Sequence, residues 1–113
     1  MQQIFSRFPF LIPGERLVET KALLAFHHPS PSYPTHILIV PKENFPTLLD
    51  LPSEDSAFVQ DLFKAVKSLV LRFGLQQAQY RLIVNGGTAQ DVDHLHFHLV
   101  SNQPSGGSQG AGG

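Results

Sequence analysis

The chain has 113 residues, 42% of them hydrophobic and 15% charged, with a formal net charge of -1 and Lys and Arg totalling 8. That length suits one domain around one core; the sparse, scattered basic residues argue against a grip on long nucleic acid; and the absence of cysteine excludes disulfides and thiolate metal sites. No window approaches the ~20 apolar residues of a membrane span, and the opening MQQIFSRFPFLIPGER lacks a basic head followed by a long apolar run, so no signal peptide is expected and the chain fits a reducing cytoplasm.

Residues 1–16 contain Pro9, Pro13 and Gly14 and read as an irregular arm, with Ile4, Phe5, Phe8 and Phe10 as apolar anchors. Leu17–Glu19 and Ala22–Phe26 read as two short strands with Glu19-Thr20-Lys21 at or near the turn. The segment 27-HHPSPSYPT-35 holds three prolines, which favour an extended loop. His36–Val40 is β-branched and apolar and reads as a strand stopped at Pro41. A long helix is expected over Glu54–Phe73, with Ser53 as N-cap and the acids Glu54 and Asp55 in its first turn. Its apolar stripe comprises Phe58, Val59, Leu62, Phe63, Val66, Leu69, Val70 and Phe73, and Gly74 stands where a left-handed residue ends a helix. Tyr80–Val84 is the next strand, broken by Asn85-Gly86-Gly87, and a last strand is expected at about His94–Val100. The two should pair as an antiparallel hairpin. From Ser101 the chain becomes Gly- and Ser-rich and reads as a disordered tail, leaving 1–100 as the folded domain. The element order indicates an α+β fold with a mostly antiparallel sheet.

The chemistry concentrates in 91-DVDHLHFHLVS-101. Successive side chains of a strand point to opposite faces, so His94, His96 and His98 share one face while Leu95, Phe97 and Leu99 share the other, toward the helix. Three imidazoles at this spacing are compatible with a solvent-facing polar surface, a zinc site completed by His27, His28 or His36, or a nucleophilic site at phosphorus. In the last case one unprotonated imidazole nitrogen attacks and its neighbours donate hydrogen bonds or move protons near neutral pH. Spacing alone leaves zinc and phosphorus open.

The run His94-Leu-His-Phe-His98-Leu-Val100 resembles the signature of the histidine triad (HIT) family of nucleotide hydrolases and transferases. So do 34-PTHILIVPK-42, 80-YRLIVNGG-87, and Gln90 and Val92 ahead of the triad; Ile4-Phe5-Ser6-Arg7 is similar to the start of the Hint-like, adenosine phosphoramidase-like branch. The resemblance spans about residues 4–100. It implies a HIT-like fold, a five-stranded antiparallel sheet with helix packing, in a homodimer that needs no metal or other cofactor. The implied ligand is a small nucleotide, a purine nucleoside monophosphate derivative whose α-phosphate carries a leaving group. His96 would be the nucleophile and form a nucleotidyl-histidine; His98 would contact the phosphate, His94 would organise the site, and His36 would support the network. Asn85 and Gln90 would bind phosphate or sit near the leaving group, and the base would lie against Ile4, Phe5, Phe8 and Phe26.

Three positions depart from the family pattern. His28, in 25-AFHHPS-30, stands where the family carries a ribose-binding acid. Asp91 stands where the family has a hydroxyl; a carboxylate cannot donate a hydrogen bond and repels phosphate. The Asn85–Gln90 loop is short, with Ala89 where glycine is usual. These departures keep a second reading in view, a nucleotide-binding or interaction protein on a HIT fold with little activity.

Overall fold

The structure is a computed structural model and describes residues 15–52 and 56–104. Its five strands are β1 (Val18–Glu19), β2 (Leu23–His27), β3 (Thr35–Pro41), β4 (Tyr80–Val84) and β5 (Phe97–Ser101), and its helix α1 is Ala57–Arg72. The strands form one sheet in the order β1-β2-β3-β5-β4, antiparallel throughout. The expected hairpin of YRLIV with the histidine strand is present, and β5 lies between β3 and β4. The β1–β2 turn is closed by the Thr20 hydroxyl, which accepts from the backbone N–H of Ala22 and Leu23 and donates to Asp61 on α1.

α1 begins later than expected. Its N-cap is Ser56, whose hydroxyl accepts from the Val59 N–H, not Ser53; Ser53, Glu54 and Asp55 lie outside the described residues. Both serines suit a cap chemically, and the bond to Val59 selects the second. At the other end Gly74 adopts φ 66°, as the helix stop requires. The buried stripe is Phe58, Leu62, Ala65, Val66, Leu69 and Val70. Phe63, expected in that stripe, is 54% exposed and points away from the sheet.

The sheet divides its side chains by alternation. Leu23, Ala25, Ile37, Ile39, Leu95, Phe97 and Leu99 pack with α1 in the main core. Leu24, Phe26, Leu38 and Val40 form a smaller cluster on the opposite face, with Val92 against it. At about 25 cal/mol per Å² of buried apolar surface, the main core supplies most of the driving force for folding. β5 starts at Phe97 rather than His94 and runs through Ser101, one residue beyond the expected end. Gln103 then bonds back to Phe73, Gly74 and Thr35, so the ordered chain continues past Val100; the remaining tail from 105 lies outside the described residues.

Candidate active site

The triad enters β5 along a segment held by backbone carbonyls rather than by a ladder. His94 Nε2 lies 3.0 Å from the Pro41 carbonyl oxygen, the Leu95 N–H donates to the Phe45 carbonyl, and the Gln90 side-chain amide donates to the carbonyls of Pro46 and Val92. The chain leaving β3 thus receives three bonds from residues 90–95, which holds those residues out of the sheet. Leu95 nevertheless stays in the main core beside Phe97 and Leu99, and the alternation that separates it from His94 and His96 persists ahead of the strand. His94 is completely buried.

Register places the remaining imidazoles. His98 is opposite Leu38 on β3 and Ile83 on β4, while His36 is opposite Val100, so His36 and His98 are diagonal neighbours on the face away from α1. His36 Nε2 lies 2.9 Å from His98 Nδ1.

The tautomers follow from fixed partners. The Ser32 N–H donates to His36 Nδ1 at 3.0 Å. That nitrogen is therefore the acceptor, and neutral His36 carries its hydrogen on Nε2. The Nε2–H donates to His98 Nδ1, which leaves the hydrogen of His98 on its own Nε2. His98 Nε2 is buried and has no partner among the described residues; it is a ready donor toward whatever occupies the site. His96 Nδ1 lies 2.7 Å from the His94 carbonyl oxygen. A carbonyl only accepts, so Nδ1 carries the hydrogen, and in the neutral ring Nε2 carries the lone pair. His94, by the same rule, donates from Nε2 to Pro41.

Burial, reinforced by neighbouring imidazoles, pushes His36 and His98 down to about 4. His28 is shifted in the same direction, mainly by burial and then by His96. His36 and His98 are neutral at pH 7, as the hydrogen-bond chain requires. The His28 ring lies 4.4 Å from that of His36 and is stacked at 6.4 Å on that of His98, and its Nδ1 accepts from the Ser30 N–H. His28 therefore joins the imidazole cluster. Asp91 is exposed, and its charge opposes the lowering at His98.

A cleft of about 280 Å³ opens over this face, lined by Ser32, Tyr33, His36, Asn85 and His98 among others. Asn85, the residue after β4, lines this cleft together with His36 and His98. Gln90 is tied into its loop through its amide donors. Phe26 sits in the apolar cluster beside Leu38, the cross-strand neighbour of His98; Ile4, Phe5 and Phe8 lie outside the described residues. Gly87 takes φ 59° in the loop after Asn85, which only glycine adopts without strain. Among the described residues no group of three or more His, Asp or Glu is arranged to hold a metal ion.

Residues 10–105 match the family model described as the HIT domain. The chain belongs to the HIT family. Among HIT relatives, the purine nucleoside phosphoramidase of Escherichia coli K12 is 33% identical over 99 residues, covering 84% of this chain and 82% of its own. A histidine triad protein from Clostridium difficile has a TM-score of 0.76 at 28% identity, covering 91% of this chain and 95% of its own. A HIT family hydrolase from Legionella pneumophila has a TM-score of 0.73 at 35% identity, covering 81% and 84% respectively. Membership accounts for the triad, and the five-stranded antiparallel sheet is the HIT fold. Sequence reasoning missed three contributors to the site. Ser32 acts through its backbone N–H and the Pro41 carbonyl through its oxygen, and neither leaves a residue-type signal. Tyr33, edge-on to His36 at 5.5 Å, stands in a loop whose sequence singles out its prolines and histidines.

Proposed function

We propose that this HIT protein is a hydrolase that cleaves a nucleoside 5′-phosphoramidate, or a similar nucleotidyl ester or anhydride, through a nucleotidyl-histidine on His96. The supporting observation is the bond from His96 Nδ1 to the His94 carbonyl, which fixes the tautomer so that the neutral ring carries its lone pair on Nε2. In the proposed reaction Nε2 attacks phosphorus and the P–N bond breaks. The nitrogen, protonated before cleavage, leaves as the free amine. Water then attacks phosphorus, the electron pair returns to Nε2, and one water proton passes to solvent. His98 Nε2–H, oriented by His36 and Ser32, donates to a phosphoryl oxygen as negative charge develops there. Asn85 adds an amide at the cleft mouth. The base lies toward Phe26 and its cluster.

The E. coli phosphoramidase relative supports a purine nucleotide as substrate. We also propose a homodimer formed along β4, the edge strand of the sheet at the histidine end.

Incubated with adenosine 5′-phosphoramidate and a chelator, the wild-type protein should release AMP, and His96→Ala should be slower by on the order of 10³-fold or more. Equal rates would remove His96 from the nucleophile's role. Nucleotide binding with no turnover of phosphoramidates, dinucleoside polyphosphates or nucleotide sulfates would instead assign the protein to the binding reading, which the placement of His28 in the imidazole cluster motivates.

A further inference from the structure

Asn85 and Gly86 follow the last cross-strand pair of the hairpin, Val84 with Phe97. They lie beyond β4, outside the strand along which the homodimer is proposed. Gly86 is exposed and extended, at φ -133° and ψ 172°, and its carbonyl accepts from the Ala89 N–H across the short turn Gly87–Ala89. Its own N–H makes no hydrogen bond among the described residues. Neither does the Asn85 carboxamide, although Asn85 lines the cleft with His36 and His98.

The juxtaposition of an unanchored carboxamide and an unengaged N–H has a chemical consequence. The backbone nitrogen after an asparagine can turn onto the side-chain carbonyl carbon unless a hydrogen bond holds its N–H in place. Asparagine also occurs at Asn44 and Asn102, and there the N–H is held. The Phe45 N–H donates to the Glu43 carbonyl at 3.0 Å, and the Gln103 N–H donates to the Ser101 hydroxyl at 3.1 Å. Phe45 and Gln103 also carry side chains that hinder the approach, whereas Gly86 has none. A Cβ built on Gly86 meets nothing within 4 Å, and its φ suits any residue, so neither packing nor backbone strain requires glycine there.

We propose that Asn85-Gly86 is a site of spontaneous modification that retires the active site. The Gly86 backbone nitrogen gives up its proton to base and bonds to the Asn85 side-chain carbonyl carbon. The bond from that carbon to the amide nitrogen breaks, and the nitrogen takes up a proton and leaves as ammonia. Water opens the resulting cyclic imide at one of its two carbonyls, which gives aspartate or isoaspartate at position 85. No oxidant or cofactor takes part. The product has a carboxylate in place of an amide; at neutral pH it cannot donate a hydrogen bond, and it repels a phosphate held at His98. The modification itself stands on the Asn85-Gly86 geometry, and the loss of activity rests on the hydrolase reading above.

In the test, full-length protein is held in warm, mildly alkaline buffer and its tryptic peptides are sequenced by mass spectrometry over time. Acid should appear at Asn85 well before Asn44 or Asn102, with isoaspartate among the products. Gly86→Ala should start with wild-type activity and convert at least about tenfold more slowly, because a side chain restricts the backbone rotation that ring closure needs. AMP release from adenosine 5′-phosphoramidate should fall in step with conversion in wild type and persist in Gly86→Ala. Asn85→Asp should be reduced from the outset by about ten- to a hundredfold in kcat/KM. Conversion at Asn85 no faster than at Asn44 and Asn102, or equally fast in Gly86→Ala, would overturn the modification site. Conversion with full activity retained would overturn its effect on the cleft. If fresh wild type releases no AMP, the hydrolase reading fails, and AMP affinity by equilibrium titration replaces turnover: affinity that weakens with conversion sustains the proposal, and unchanged affinity ends it.

Discussion

Ser32 contributes no side chain to the imidazole network, yet its N–H decides which nitrogen of His36 carries hydrogen and, through His36, which nitrogen of His98 does. The arrangement works only while both rings are neutral, because a proton added to His36 Nδ1 or His98 Nδ1 would face a donor already in place. That conflict, added to burial, agrees with the low value of about 4 for both. In the unfolded chain a histidine titrates near 6.5. Between those values the unfolded chain binds protons that the folded chain does not, so the stabilisation is complete above pH 6.5 and is lost as pH falls toward 4. The urea midpoint should therefore drop between pH 7.5 and pH 4.5, and the drop should be smaller in His36→Gln. An unchanged midpoint in wild type would mean that these rings take up protons in the fold as readily as outside it.

Among the elements, α1 and the triad segment show two ways in which pattern and structure separate. The stop of α1 follows from backbone sterics, with Gly74 at φ 66°. Gly74→Ala should destabilise the fold by about 1 kcal/mol, read as a lowered urea midpoint with unchanged slope, because an L side chain in that region meets the following carbonyl. Its start was ambiguous, since Ser53 and Ser56 offer the same hydroxyl and only the bond to Val59 identifies the cap. The period-two pattern of the triad correctly separated Leu95, Phe97 and Leu99 from the imidazoles. It overextended the strand because the carbonyls of Pro41, Phe45 and Pro46, rather than a neighbouring ladder, hold residues 90–95. An extended backbone bonded to a loop has the side-chain alternation of a strand without its pairing.

At the scale of the whole molecule, the sheet keeps its driving force on one face and its chemistry on the other. α1 packs with Phe97 and Leu99 of β5 and with Leu23, Ala25, Ile37 and Ile39 of β2 and β3 in the main core, while register sets His36 and His98 on the opposite face, where Asn85 lines the same cleft. Much of this was legible in sequence. Strand alternation separated the triad histidines from Leu95, Phe97 and Leu99, the hairpin set Asn85 in one cleft with His98, and the run from Pro34 to Lys42 marked His36. The approach of His28 to His36 and His98 was not legible, because it depends on how a proline-rich loop folds over β3.

The proposed reaction is a double displacement at phosphorus through His96. Its most direct test is the stereochemical course of hydrolysis of an adenosine 5′-phosphoramidate made chiral at phosphorus with sulfur and oxygen isotopes, run in isotopically labelled water. Two successive in-line displacements, first by His96 Nε2 and then by water, predict net retention of configuration. Net inversion would show a single direct attack by water and would contradict a nucleotidyl-histidine intermediate.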